Sequence, residues 1–219
     1  MNDDIDGIVF IEIADMNSSI GLLLQTLEDP DFERDSRRNV YYEVSRLKNN
    51  LSQLKTLYSM EKNELSIHIQ ECYVLEIIED VIVENKYLLE SRDIQIECLC
   101  DDGLNWYLDS TLISGVINNA ILSAGRYTKD KIVIQAVVNK NNKLTITIDD
   151  NGYGYPESVL EDFKNTLNGD KHFSEVSQGA SWYYCTSVIS YHTNQDKIGL
   201  LSMSNDSSIG GSRFQIEIP

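Results

Sequence analysis

The sequence predicts an α+β protein in which an N-terminal helical hairpin is followed by a two-layer α/β sandwich. Apolar residues in the first sixty positions recur in steps of four and three. Beyond Glu61 that rhythm gives way to short strands alternating with helices. In the second half a polar connector joins two apolar runs whose length suits strands.

The hairpin is read from two seams. Val9, Ile13, Met16, Ile20, Leu23 and Leu27 form the first, which stops at Glu28-Asp29-Pro30. Val40, Val44, Leu47, Leu51, Leu54 and Tyr58 form the second, so a second long helix can lie back against the first. Ile11, Leu22, Leu24 and Leu57 widen the stripe beyond what one partner helix covers. A homodimeric four-helix bundle would cover it; the alternative is a hairpin folded onto its own downstream domain. The expected division is residues 1–62 for the hairpin and 63–219 for the sandwich.

In the sandwich, Ser66 to Ile69 reads as a short strand, Val74 to Leu89 as an amphipathic helix, and Ile94, Ile96, Cys98 and Cys100 as one face of a strand. Trp106 lies on a short extended piece. Asp109 and Ser110 cap a helix carrying Leu112, Ile113, Val116, Ile117, Ala120, Ile121 and Ala124. Ile132 to Val138 and Leu144 to Ile148 are strands joined by Asn139-Lys140-Asn141-Asn142-Lys143. A polar stretch to about Gln178 leads to a helix across Trp182 to Tyr191. Strands near Ile198 to Met203 and Arg213 to Ile218 close the sheet.

Acidic residues outnumber basic ones 35 to 18, for a formal charge of −17. With no basic stripe to neutralise phosphates, nucleic acid is excluded as a partner. No apolar run approaches the roughly 20 residues that span a bilayer, and the Met-Asn-Asp-Asp start lacks a basic n-region, so a cytoplasmic location is expected. Cys72, Cys98, Cys100 and Cys185 lack zinc-site spacing and read as reduced thiols.

Taken alone, Asp150-Asn151-Gly152-Tyr153-Gly154 is a glycine turn. Its place after a strand hairpin, downstream of a helix ending Ala124-Gly125-Arg126-Tyr127-Thr128, resembles the G1 and N boxes of the ATPase domain of bacterial sensor histidine kinases. Gly210-Gly211-Ser212-Arg213-Phe214 is similar to that family's last hairpin, and Ala14-Asp15-Met16-Asn17-Ser18-Ser19-Ile20-Gly21 looks like its H box. The resemblance covers nearly the whole chain. It implies a dimerisation and phosphotransfer hairpin followed by a Bergerat-type ATPase domain, with ATP or ADP and magnesium as cofactors and a response regulator as partner.

Three positions depart from the family pattern. The phosphoacceptor histidine position holds Ala14, whose methyl offers no nucleophilic nitrogen; the adjacent polar residues are Asp15 and Asn17. The two N-box asparagines fall at Asn119 and Ser123, and the second normally holds magnesium, for which serine is a weaker ligand. In the phosphate-wrapping G2 box, Ser177-Gln178-Gly179-Ala180-Ser181, one glycine survives as Gly179 and Ser181 stands where a side chain would crowd phosphates. The adenine-side residues Asp150, Gly152 and Gly154 are kept.

The resemblance with its losses implies a degenerate kinase-like signalling protein, a dimeric pseudokinase that binds a response-regulator receiver domain or a cognate histidine kinase. ATP or ADP binding with magnesium is expected to be weak or absent. The alternative is an ATP-binding histidine kinase, or a response-regulator phosphatase, whose phosphoacceptor is replaced by Ala14. His192 reads as a structural histidine at a helix C-terminus, and Tyr41, Tyr42, Tyr183 and Tyr184 as packing residues.

Overall fold

The computed structural model describes residues 16, 18–23, 34–167 and 179–219. Residues 18–23 are helical, in keeping with the first seam. The second seam is realised as α1 (Arg34–Glu61). There follow β1 (Gln70–Tyr73), α2 (Val74–Glu84), α3 (Lys86–Ser91), β2 (Gln95–Cys100), β3 (Asn105–Leu108) and α4 (Ser110–Tyr127). The rest comprises β4 (Lys131–Val138), β5 (Leu144–Asp150), α5 (Glu157–Leu167), α6 (Gly179–Ser190), β6 (Thr193–Asn194), β7 (Lys197–Ile198), β8 (Leu200–Ser204) and β9 (Arg213–Ile218).

The main sheet runs β2-β4-β5-β9-β8, with β2 and β4 parallel and the other pairs antiparallel. Strand alternation sends one row of side chains towards the helices. Ile134, Ile148, Phe214 and Met203 sit opposite one another across four strands, and Ala136, Ile146, Ile216 and Leu201 form the next row. Against these pack Ile113, Val116, Ile117 and Ile121 of α4, Ile78 and Val81 of α2, and Trp182, Val188 and Ile189 of α6, all buried. The other face carries Gln135, Thr147 and Gln215, and none of the described helices supplies a core layer on it, giving the expected two layers among the described residues.

Four expectations need adjusting. The strand expected at Ser66 to Ile69 forms instead at Gln70–Tyr73, where the backbone pairs with β3; His68 N–H is taken by the Asp109 carboxylate. The helix expected over Val74 to Leu89 breaks at Asn85 (φ −96, ψ 3), whose side-chain amide donates to Val81 O and to Asn118 Oδ1. A helix, α5, lies within the stretch expected to be irregular. Val159, Leu160, Phe163 and Leu167 stand along it at helical spacing, a pattern not used in reading the stretch as polar, and Phe163 and Thr166 are buried. Leu57, expected to need a bundle partner, is 3% exposed because it joins the sandwich core.

That last point defines how α1 sits. Among its described residues Tyr42, Asn49, Gln53 and Leu57 are buried and face the sandwich. Val44, Leu51 and Tyr58, at seven-residue intervals on the seam, are 49%, 57% and 53% exposed. At 3.6 residues per turn the two sets lie about half a turn apart. One face of α1 therefore packs on the sandwich, and Val44, Leu51 and Tyr58 stay exposed on the opposite side. Arg92 lies over the Tyr42 ring at 4.6 Å and donates to Gly125 O at the end of α4, fastening the N-terminal half of α1.

Truncation should distinguish the two faces of α1. Leu57→Ala is expected to cost about 2–5 kcal/mol, whereas Leu51→Ala, measured in dilute monomer, should stay within about 0.5 kcal/mol of the parent. Urea midpoints at constant m-value measure both.

Candidate functional site

The site predicted from sequence lies where the C-terminal ends of β5 and α4 meet the start of α6. Strand alternation puts Asp149 on the open face and Asp150 on the helix side. Asp149 makes a two-pronged pair with Arg213 (2.7 and 2.6 Å) directly across the sheet, and also accepts from the Ser208 N–H and hydroxyl. Burial raises its pKa, but these donors outweigh it and hold Asp149 below the usual carboxylate value.

Asp150 is 2% exposed. Its Oδ1 accepts the Gly152 N–H at 2.7 Å and the Ser212 N–H at 3.3 Å, and its Oδ2 takes the Ser212 hydroxyl in a short bond. Tyr155 shares a side-chain hydrogen bond with Ser212, and burial raises its pKa. The carboxylate that the sequence marks for adenine is thus committed to three donors of the chain itself.

The two glycines are required by close approaches. A Cβ on Gly152 would collide with Tyr127 O at the end of α4, and Gly154 has φ +82 with the Asn205 amide 2.8 Å from where its Cβ would stand. Asn205 clamps the loop by accepting the Tyr155 N–H (2.7 Å) and donating to Tyr155 O (3.1 Å). Asn151 Oδ1 accepts the Thr128 hydroxyl and the N–H groups of Lys129, Asp130 and Lys131. The turn after β5 is therefore clasped to the end of α4.

Asn119 and Ser123, one turn apart on α4, are both buried. Asn119 Oδ1 accepts from Gln53 Nε2 (3.1 Å) and Asn49 Nδ2 (3.3 Å), while its Nδ2 donates to Cys185 Sγ (3.2 Å). Burial pushes the Cys185 thiol up to about 12, against the opposing effect of that bond, so it stays a neutral acceptor. Gln53 Oε1 accepts the Ser181 hydroxyl at 3.0 Å. On the other side Asn85 donates to Asn118, and Asn118 donates to Asn49 at 3.0 Å. The result is a relay, Asn85–Asn118–Asn49–Asn119–Gln53–Ser181, buried except at Asn118 and Ser181, which are half-buried, in which α1 bridges α4 and α6.

A magnesium ion at Asn119 and Ser123 would have to displace the Gln53 and Asn49 amides from Asn119 Oδ1. A metal needs an oxygen lone pair, and both favourable directions on Asn119 Oδ1 already face N–H donors. Among the described residues no cluster of three or more His, Cys, Asp or Glu is placed to hold a metal. Asp150, Gly152 and Gly154 stand together, and Asn119 and Ser123 form a second group. Gly179 opens α6 two residues before Ser181. Ala14, Asp15 and Asn17 lie outside the described residues, as do Ser177 and Gln178.

Sequence reasoning missed Gln53, Asn49, Ser212 and Asn205. No local signal marks them, because each acquires its partner through tertiary packing.

No protein-family model matches the chain, and no curated protein matches it. Solved structures do. The catalytic domain of histidine kinase ThkA, in a nucleotide-free form, superposes with a TM-score of 0.58 at 21% identity, covering 69% of this chain and 97% of that one. The fold is that of a histidine kinase catalytic domain. The Acinetobacter baumannii histidine kinase AdeS matches at TM-score 0.63 and 20% identity, covering 92% of this chain and 95% of its own. The mycobacterial sensor histidine kinase MprB matches at 0.54 and 15%, covering 69% and 97%. No described helix is long and apolar enough to cross a membrane.

His192, expected to be structural, is 1% exposed; its Nε2 accepts the Asp109 N–H at 3.1 Å, and Nδ1 lies 3.0 Å from Val188 O. A proton on Nε2 would set two donors against each other. Burial outweighs the effects of Val188 and Asp109 and lowers its pKa. As pH falls through the unfolded value of about 6.5, the unfolded chain takes the proton first, so this contribution is complete above that value and is lost below it. Urea midpoints should fall between pH 7.5 and 5.5, and fall less in His192→Gln.

Proposed function

We infer that the chain is a degenerate, histidine-kinase-like signalling protein that acts as a binding module rather than as a phosphotransferase. The observation that carries this reading is the Asp150 carboxylate, 2% exposed and already bonded to Gly152 and Ser212, groups with which an adenine amino group would have to compete. Ala14 in place of a phosphoacceptor and the non-glycine Ser181 support it from the sequence. Nucleotide binding is accordingly weak or absent.

The exposed seam of Val44, Leu51 and Tyr58 supports a homodimer formed through the hairpin, as a four-helix bundle. The match to AdeS over 92% of the chain, more than residues 63–219 make up, favours a hairpin-plus-ATPase arrangement. The partner class is a response-regulator receiver domain or a cognate histidine kinase, in a cytoplasmic two-component setting. Binding to such a partner would act by occupancy, because no group at position 14 can accept a phosphoryl.

Two measurements test this reading. Incubation with labelled ATP and magnesium should give no acid-labile, base-stable label, either on the natural sequence or on Ala14→His; label appearing with that single change would identify a competent kinase lacking only its acceptor. Light scattering should find a dimer that Leu51→Asp dissociates while the sandwich remains folded, since an unpaired charge in the seam is costly. A folded monomer of the natural sequence at micromolar concentration would contradict it.

A further inference from the structure

The amide relay does more than join two parts of the fold. Gln53 sends one carboxamide between α4 and α6: Nε2 donates to Asn119 and Oε1 accepts from Ser181. In the ATPase resemblance described above, Asn119 lies on the metal-bearing helix and Ser181 in the phosphate loop. The group joining them here is neutral, belongs to the chain and is 1% exposed. Asn49, beside it on α1, takes the second direction on Asn119 Oδ1 and is itself held by Asn118.

We propose that α1 is a self-ligand of the cleft between α4 and α6, so that docking of α1 and entry of a magnesium nucleoside triphosphate into that cleft are mutually exclusive. The phosphate end is closed by an internal latch in addition to having lost ligands. This rests on the histidine-kinase-like reading of the cleft and adds a regulation to it.

The latch is reversible in principle because it consists of hydrogen bonds between uncharged groups, each exchangeable with water. Its position also separates it from dimerisation. Val44, Leu51 and Tyr58 lie about half a turn away from Asn49 and Gln53, so a partner on the seam leaves the relay untouched. A partner that pulled α1 off the sandwich would open the cleft. By linkage, a ligand that entered the cleft would release α1 to the same extent.

A ligand that must wait for undocking binds with its affinity reduced by the fraction of open molecules. Loss of the Gln53 carboxamide raises that fraction. The test is calorimetric titration of Mg-ATP and Mg-ADP into the full chain as the natural sequence, Gln53→Ala, Asn49→Ala and the exposed-face control Lys55→Ala. The expected result is affinity raised about tenfold or more in both amide variants, dependent on magnesium, with Lys55→Ala unchanged.

Circular dichroism checks that each variant is folded. Hydrogen exchange on the natural sequence supplies an arm free of substitutions: exchange across residues 45–57 should rise at millimolar Mg-ATP. Equal affinity in all four proteins, including no binding in any, overturns the latch, as does unchanged exchange. The pseudokinase reading fails by a different result, low-micromolar Mg-ATP binding by the natural sequence, and a gain on removing Gln53 would still uphold the latch.

Discussion

Asn119 sits where three helices meet, and its side chain makes three hydrogen bonds: two donors arrive from α1 and its own amide reaches Cys185 on α6. A buried carboxamide left unpaired costs about 1–3 kcal/mol, so once Asn119 is enclosed, Gln53 and Asn49 have to stay in place to satisfy it. That requirement fixes the height and rotation of α1 on the sandwich. With Leu57 in the core below and Tyr42 against Arg92 above, α1 is held at three levels on one face. The opposite face, with its seam of Val44, Leu51 and Tyr58, is thereby turned outward.

The same economy governs the turn after β5. In a site built to take a ligand, some polar groups are held open for it. Here Asp150, Asn151 and Asn205 each spend side-chain bonding on other groups of the chain, and Gly152 and Gly154 let the loop approach Tyr127 and Asn205 closely. The segment that resembles a nucleotide box clasps β5, the end of α4 and the β8–β9 connection together. Asp149 and Arg213 complete the clasp on the open face.

Much of this was legible in the sequence where burial follows periodicity. The α4 helix with its Asp109 cap, the β4–β5 hairpin and the β9 strand fall where their apolar spacing puts them. The seam of α1 was legible as a helix face, but its docking face was not. Asn49 and Gln53 carry no apolar signal, and only the meeting with Asn119, 66 residues beyond Gln53, shows what their burial serves. The commitment of Asp150 was hidden for the same reason, since its partner Ser212 lies 62 residues away. Ser181 stood out as a lost glycine; that its hydroxyl holds Gln53 could be learned only from the fold. Propensity and spacing report on local structure, whereas a polar network across elements has no local signature.

A double-mutant cycle between Gln53→Ala and Asn119→Ala, read from urea unfolding, tests most directly whether α1 is held on the sandwich by this amide contact. A real buried bond predicts a coupling of about 1 kcal/mol or more, because each single change strands a partner that the double change removes. Additivity within about 0.5 kcal/mol would mean that the two side chains do not depend on each other, and would contradict the account.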